Sequence, residues 1–179
     1  MIIITAPHSK CDPNIKERNC DSVSDYASRS LYRLLPDPKI LIPATHHRNQ
    51  LDLNRKEANN TPFWNILRSC ITTSVPPIVI DVHSFPLGLE PYEIFIITYN
   101  STSYVDNLYQ NLLFNGITAG IFQGNELNEI VITALQHGCI AFLLEYNESL
   151  SAERIEQING VIAQYLTGGR VFPLNLRIS

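Results

Sequence analysis

Pro76-Pro77-Ile78-Val79-Ile80-Asp81-Val82-His83-Ser84 is the stretch on which the reading of the fold turns. Ile78 to Val82 is a short apolar, β-branched run, entered through two prolines and left through Ser84, Phe85 and Pro86. Such a run reads as a strand buried on both faces, in the middle of a sheet. It carries an acid, Asp81, inside the run and an imidazole, His83, at its carboxyl end. Ligands of open α/β sheets bind at that end of the strands. An acid and an imidazole delivered there by a buried strand point to a metal.

Outward from this strand the chain alternates. On the N-terminal side, Ile2 to Thr5 predicts a first strand ending at Pro7-His8-Ser9, and a polar loop follows from Lys10 to about Asn19. Asp21 to Leu35 predicts a helix with Val23, Ala27, Leu31, Leu34 and Leu35 on one side, stopped by Pro36-Asp37-Pro38. Lys39 to Ala44 predicts a second strand. Thr61 and Pro62, cap and first helical residue, open a helix to about Thr72. On the C-terminal side come strand Glu93 to Tyr99, helix Ser103 to Phe114, strand Ile117 to Phe122, helix Asn125 to Gln136, strand Cys139 to Tyr146, and a helix capped by Ser151 that runs to Leu166. The tail from Val171 to Ser179 is expected along the surface. Alternation of this kind predicts one α/β domain over 1–179, three-layered, with a mainly parallel or mixed central sheet and helices on both faces. The runs at 78–82 and 139–144 are the candidates for its central strands.

Composition narrows the class. A chain of 179 residues supports one domain with a proper core, and 45% hydrophobic content is ordinary for a globular protein. A net charge of −4 gives no sign of a nucleic-acid or anionic-membrane partner. No apolar run has membrane-span length. Met1-Ile2-Ile3-Ile4 lacks the basic flank and long apolar core of a signal peptide, so a first strand is expected. Cys11, Cys20, Cys70 and Cys139 form no CxxC pair, and they are expected as reduced thiols in a cytoplasmic protein.

Three polar groups stand at strand ends: His8, His83 and Glu145. Asp21 and Asp25 lie one turn apart at the start of the first predicted helix. A catalytic zinc takes three protein ligands from His and Asp or Glu and keeps one position for water. His8 and His83 supply two. Asp21, Asp25 and Cys11, the last spaced His8-x-x-Cys11, are the candidates for the third, with Asp21 also suited to capping the helix. Glu145, ending an apolar strand, is placed to take a proton from a water. The polar segment from Thr45 to Asn60 holds Arg48, Asp52, Asn54 and Arg55. Arginine suits two-point recognition of a carboxylate, although arginines of a surface loop are more often only solvated.

Taken in order, these islands resemble the N-formylglutamate amidohydrolase family. Arg48-Asn49-Gln50-Leu51-Asp52-Leu53-Asn54-Arg55 resembles its R-x-x-x-D-L-N-R segment, which is also similar to the Asn-Arg motif of zinc carboxypeptidases of the same fold. Pro7-His8-Ser9 is similar to the turn bearing the first metal histidine. Asp81-Val82-His83-Ser84 resembles the D-x-H-S that bears the second. Asp21-x-x-x-Asp25 is similar to the acidic pair whose first member is the third ligand, and Leu144-Glu145-Tyr146-Asn147 to the strand bearing the general base. Lys10 stands where the family has glycine, and the chain is shorter than typical members. The resemblance implies one Zn²⁺ held by His8, Asp21 and His83, with Glu145 as general base. It further implies Arg48, Asn54 and Arg55 on a substrate carboxylate, and Asp81 supporting the site from inside. The substrate implied is an N-formyl or N-acyl amino acid, or a peptide or γ-glutamyl chain with a free carboxylate. A zinc carboxypeptidase, a poly-γ-glutamate hydrolase and a non-catalytic carboxylate- or protein-binding module are the alternatives.

Overall fold

The computed structural model describes residues 1–11, 20–86, 91–100, 102–124 and 128–168. Period-two alternation in the central strands decides which helices pack where. The sheet has six strands in the order β2-β1-β3-β6-β4-β5. They are β1 (Ile2–Ala6), β2 (Lys39–Pro43), β3 (Ile78–Phe85), β4 (Ile94–Thr98), β5 (Ala119–Gln123) and β6 (Ile140–Asn147). Ile4, Ile80, Phe142 and Leu144 point to one face, against buried Leu31 of α1 (Ser24–Leu34), Leu108 of α3 (Ser103–Phe114) and Ile158 of α5 (Ala152–Leu166). Their neighbours Ile3, Val79, Ala141 and Leu143 point to the other, against Phe63, Trp64 and Leu67 of α2 (Pro62–Ile71) and Ile130 and Val131 of α4 (Glu129–Gln136). This is the three-layer α/β architecture expected from the sequence, with β3 and β6 at its centre. The strand and helix spans agree with the expected ones to within a few residues. The expected loop over 12–19 and the tail over 171–179 lie outside the described residues.

The sheet is mixed. β1 pairs in parallel with β2 and β3, and β3 in parallel with β6. β4 runs antiparallel to β6 and parallel to β5. The cause is the connection from β3 to β4, only eight residues from Pro86 to Glu93. A parallel crossover takes a dozen residues or more, so a chain leaving the carboxyl end of β3 on so short a link runs back the other way. The edge strand β2 ends in Pro43, which cannot donate to a further strand.

Two polar contacts tie the layers together. Tyr146 donates its hydroxyl to Asn159 Oδ1 at 2.6 Å, and Asn159 Nδ2 donates to the Ala27 carbonyl at 3.0 Å, joining β6, α5 and α1. Glu93 accepts from Arg154 Nε at 2.6 Å and Nη2 at 2.9 Å, and from the Thr118 N–H at 2.9 Å. The Arg154 guanidinium and these other donors, against a smaller effect of burial, hold the Glu93 carboxyl down at about 2. A depressed carboxyl stabilises the fold above its unfolded pKa and loses that contribution as pH falls through the folded value. Glu93→Gln is therefore expected to cost about 1–2 kcal/mol at pH 7, discounted for partial exposure. The gap from wild type should close as pH falls from about 4.5 toward 2, measured by urea unfolding across that range.

Candidate metal centre

The carboxyl ends of β1 and β3 and the lead-in to α1 meet at one point. His8 follows β1 by one turn, in which Ser9 N–H donates to the Ala6 carbonyl. The Asp21 N–H then donates to the His8 carbonyl at 3.1 Å, which brings the lead-in of α1 beside the strand end. His83 sits on β3 on the same face as Asp81, because alternate strand residues share a face. His8, Asp21 and His83 are 3%, 2% and 5% exposed, so all three are buried.

Their ligating atoms converge within 4.8 Å of one another. Asp21 Oδ2 lies 3.3 Å from His8 Nδ1 and 2.9 Å from His83 Nδ1, and the two rings meet edge to face with centroids 4.6 Å apart. Ligands at about 2.1 Å from a tetrahedral ion stand roughly 3.4 Å apart, which is close to these separations. Each imidazole turns Nδ1 inward and has Nε2 held by a carboxylate behind it. His8 Nε2 is 2.7 Å from Asp52 Oδ1, and His83 Nε2 is 2.9 Å from Asp81 Oδ2. With Nε2–H donated outward, the Nδ1 proton that faces Asp21 is the one an incoming cation would displace, the arrangement found behind metal-binding histidines. The converging set is two imidazole nitrogens and one carboxylate oxygen. That donor chemistry fits a divalent cation such as zinc.

The electrostatics follow from the same contacts. Burial raises the Asp21 carboxyl, but its hydrogen bonds to His8 and His83 outweigh this and hold it well below the usual carboxylate range. Burial likewise opposes ionisation of Asp52, and the bond to His8 brings it down to about 2. Asp81 is fully buried. His83, Asn128 and Thr5 overcome that burial and keep its carboxyl below the ordinary value. Thr5 Oγ1 donates to Oδ1 at 2.6 Å, and Asn128 Nδ2 and Asn54 Nδ2 donate to Oδ2 at 2.8 and 3.3 Å.

Glu145 is paired with His83 in the β3–β6 register and faces the same side of the sheet. Burial raises its carboxyl above the ordinary range. It lines a cavity of about 230 Å³, together with His8, His83, Arg48 and Arg55 on the polar side and Ile97 and Tyr99 on the other. The Tyr99 ring lies across Gly124, where an added Cβ would sit 2.5 Å from it, so this wall is close-packed.

The segment carrying the arginines is anchored by buried apolar residues, Leu53 and Ala58. Leu53 is fully buried and its carbonyl accepts from Trp64 Nε1 at 2.8 Å, which turns Asp52 and Asn54 toward the site. Arg48 Nη1 donates to Asp21 Oδ1 at 3.1 Å, and Arg55 Nε lies 3.6 Å from Asp52 Oδ2. Both guanidinium side chains remain about two-fifths exposed. Asn54, expected beside them, lines the same cavity, is 5% exposed, and has its Nδ2 3.1 Å from His83 Nε2 and 3.3 Å from Asp81 Oδ2.

Two rivals for the third ligand position are removed. Asp25 is exposed and paired with Arg29 at 3.0 Å along the outside of α1. Cys11 is in a disulfide with Cys20, which also corrects the expectation of four reduced thiols; Cys70 and Cys139 are free and buried. The pairing follows from the site. Cys11 is three residues after His8 and Cys20 adjoins Asp21, so the His8–Asp21 contact brings their Cα atoms to 5.0 Å, within disulfide range. Asp21 does not cap α1; the cap position is Val23. Two residues escaped the sequence reading. Asp52 stood in the arginine segment with no role assigned, and Asn128 was hidden inside a predicted helix, although an Asn at that boundary is an N-cap signal.

The sequence matches no protein-family model and no curated protein. Its fold does match solved structures. Helicobacter pylori Csd4, a D,L-carboxypeptidase, superposes with a TM-score of 0.64 at 10% identity, over 93% of this chain and 50% of that one. A metallo-carboxypeptidase from Burkholderia cenocepacia gives 0.58 at 12%, over 93% and 55%. The CwlD amidase from Clostridioides difficile gives 0.53 at 16%, over 93% and 98%. The chain thus spans about half the length of the two carboxypeptidases. Among the described residues no helix is long and apolar enough to cross a membrane. The chain shares its fold with carboxypeptidases and an amidase, and carries a buried His8–Asp21–His83 group at the carboxyl ends of its strands.

Proposed function

We propose that this chain is a zinc-dependent amidohydrolase acting on a small substrate with a free carboxylate, such as an N-formyl or N-acyl amino acid. The observation that carries the reading is the convergence of His8, Asp21 and His83 in a cavity that Glu145 also lines. His8, Asp21 and His83 hold the ion. Zinc, when bound, supplies Lewis acidity toward the amide carbonyl and makes a water acidic near neutral pH. Glu145 accepts a proton from the attacking water and returns it to the leaving nitrogen. Arg55, with Arg48 beside it, meets the substrate carboxylate at the cavity mouth. Asn54 lines the same cavity and joins the two arginines on the substrate carboxylate. The N-formylglutamate-type substrate comes from the motif resemblance. The folds of Csd4 and the Burkholderia enzyme favour a second reading, a carboxypeptidase that cleaves a peptide or γ-glutamyl chain. A non-catalytic carboxylate-binding module remains the reading outside enzymes. The cytoplasmic placement loses its basis with the Cys11–Cys20 disulfide.

A panel of N-formyl amino acids against peptides with free or amidated C-termini separates these readings. Hydrolysis of the formyl substrates supports the first, cleavage restricted to free C-termini the second, and chelator-insensitive binding without turnover the third. Arg55→Ala is expected to raise KM by about 10- to 100-fold, the value of a charged hydrogen bond, with a smaller change in kcat. Unchanged KM would remove Arg55 from carboxylate recognition.

A further inference from the structure

We propose that Asn128 is a positioning residue for the metal centre, holding Asp81 in place behind His83. The proposal rests on the metal reading above and extends it to a residue of α4, an element that supplies no ligand. Asp81 is fully buried, and a buried carboxylate needs donors on its oxygens. Its Oδ2 is the atom that meets His83 Nε2 at 2.9 Å, and the same oxygen receives Asn128 Nδ2 at 2.8 Å, closer than Asn54 Nδ2 at 3.3 Å. Thr5 holds Oδ1 at 2.6 Å and Asn128 is the closest amide donor to Oδ2, so the two together set the carboxylate against which the His83 ring is turned.

The orientation of the Asn128 amide is itself determined. Asn128 is the N-cap of α4, and its Oδ1 accepts from the Val131 N–H at 2.9 Å. A flipped amide would lose that cap and set an oxygen against the Asp81 carboxylate. The residue is 4% exposed, at the wall of the cavity that Glu145 also lines. Asparagine is the side chain that caps with its oxygen and donates with its nitrogen at this length. Aspartate caps equally well but has no donor, and serine caps but is too short to reach Asp81.

This separates a helix-capping role from a positioning role. Zinc affinity of the whole chain is measured by competition with a chromophoric chelator for wild type, Asn128→Asp and Asn128→Ser. The thermal midpoint of each protein is taken beside it, metal-free. Both variants are expected to bind zinc about 10- to 100-fold more weakly, as outer partners of ligating histidines do when removed. The metal-free midpoint of Asn128→Ser should fall by several degrees although its cap is kept, because buried Asp81 loses a donor. Wild-type zinc affinity in both variants overturns the positioning role and leaves the metal site standing. A wild type that binds no zinc overturns the metal reading and this inference together.

Discussion

Glu145→Gln is expected to keep the zinc content of the wild type while turnover falls by about 10²- to 10⁴-fold, the range of general acid–base catalysis. Glutamine preserves the size of the side chain and its place in the β3–β6 register, opposite His83. It cannot accept a proton. Glu145 is not among the converging ligand atoms of His8, Asp21 and His83, so the ion should be held as before. Burial already disfavours the charged form of Glu145; the neutral amide therefore removes a desolvation cost and should not unfold the chain. Zinc analysis of the purified variant, beside kcat on the best substrate of the panel, checks both halves of the expectation. Turnover retained at equal zinc content would take Glu145 out of the mechanism.

His83→Ala is expected to lose zinc altogether at ordinary protein concentrations. Removal of a mere outer partner already costs about 10- to 100-fold in affinity, and a ligand lost from a set of three exceeds that. The variant also leaves Asp81 buried without its ionic partner, which costs about 3–5 kcal/mol in comparable pairs. Stability has to be read separately from metal binding for this reason. The double variant His83→Ala/Asp81→Asn should recover part of the stability, since the amide is neutral, and none of the zinc. Full metal occupancy in either variant would count against His83 as a ligand and against the site as a whole.

Local pattern made most of the scaffold legible. The β-branched runs at 78–82 and 139–144 have the composition of strands buried on both faces, and they are the central pair β3 and β6. Thr61 and Ser151 could be read as caps because an N-cap needs only its own hydroxyl and the N–H three residues on. His8, His83 and Glu145 could be singled out because a polar residue at the end of an apolar strand has few packing reasons to be there. All of these depend on residues close in the chain.

What the sequence did not determine depends on register between distant segments. Asp52 becomes the partner of His8 because Leu53, buried 11 residues before Trp64, fixes the turn that aims it. Asp81 meets Asn128 across 47 residues, a distance in sequence that no periodicity spans. Cys11 and Cys20 pair because His8 and Asp21 draw the ends of their loop together. The choice of Asp21 over Asp25 is of the same kind. Both carboxylates fit one face of a helix on paper, but the helix begins at Ser24, so Asp21 belongs to the lead-in, beneath the strand ends, while Asp25 points to solvent and Arg29. The amino-acid order thus specified the elements and the chemistry their ends carry. Which oxygen faces which nitrogen was decided only when the sheet closed, because hydrogen bonds act over about 3 Å and only the packed strands bring such remote residues that near.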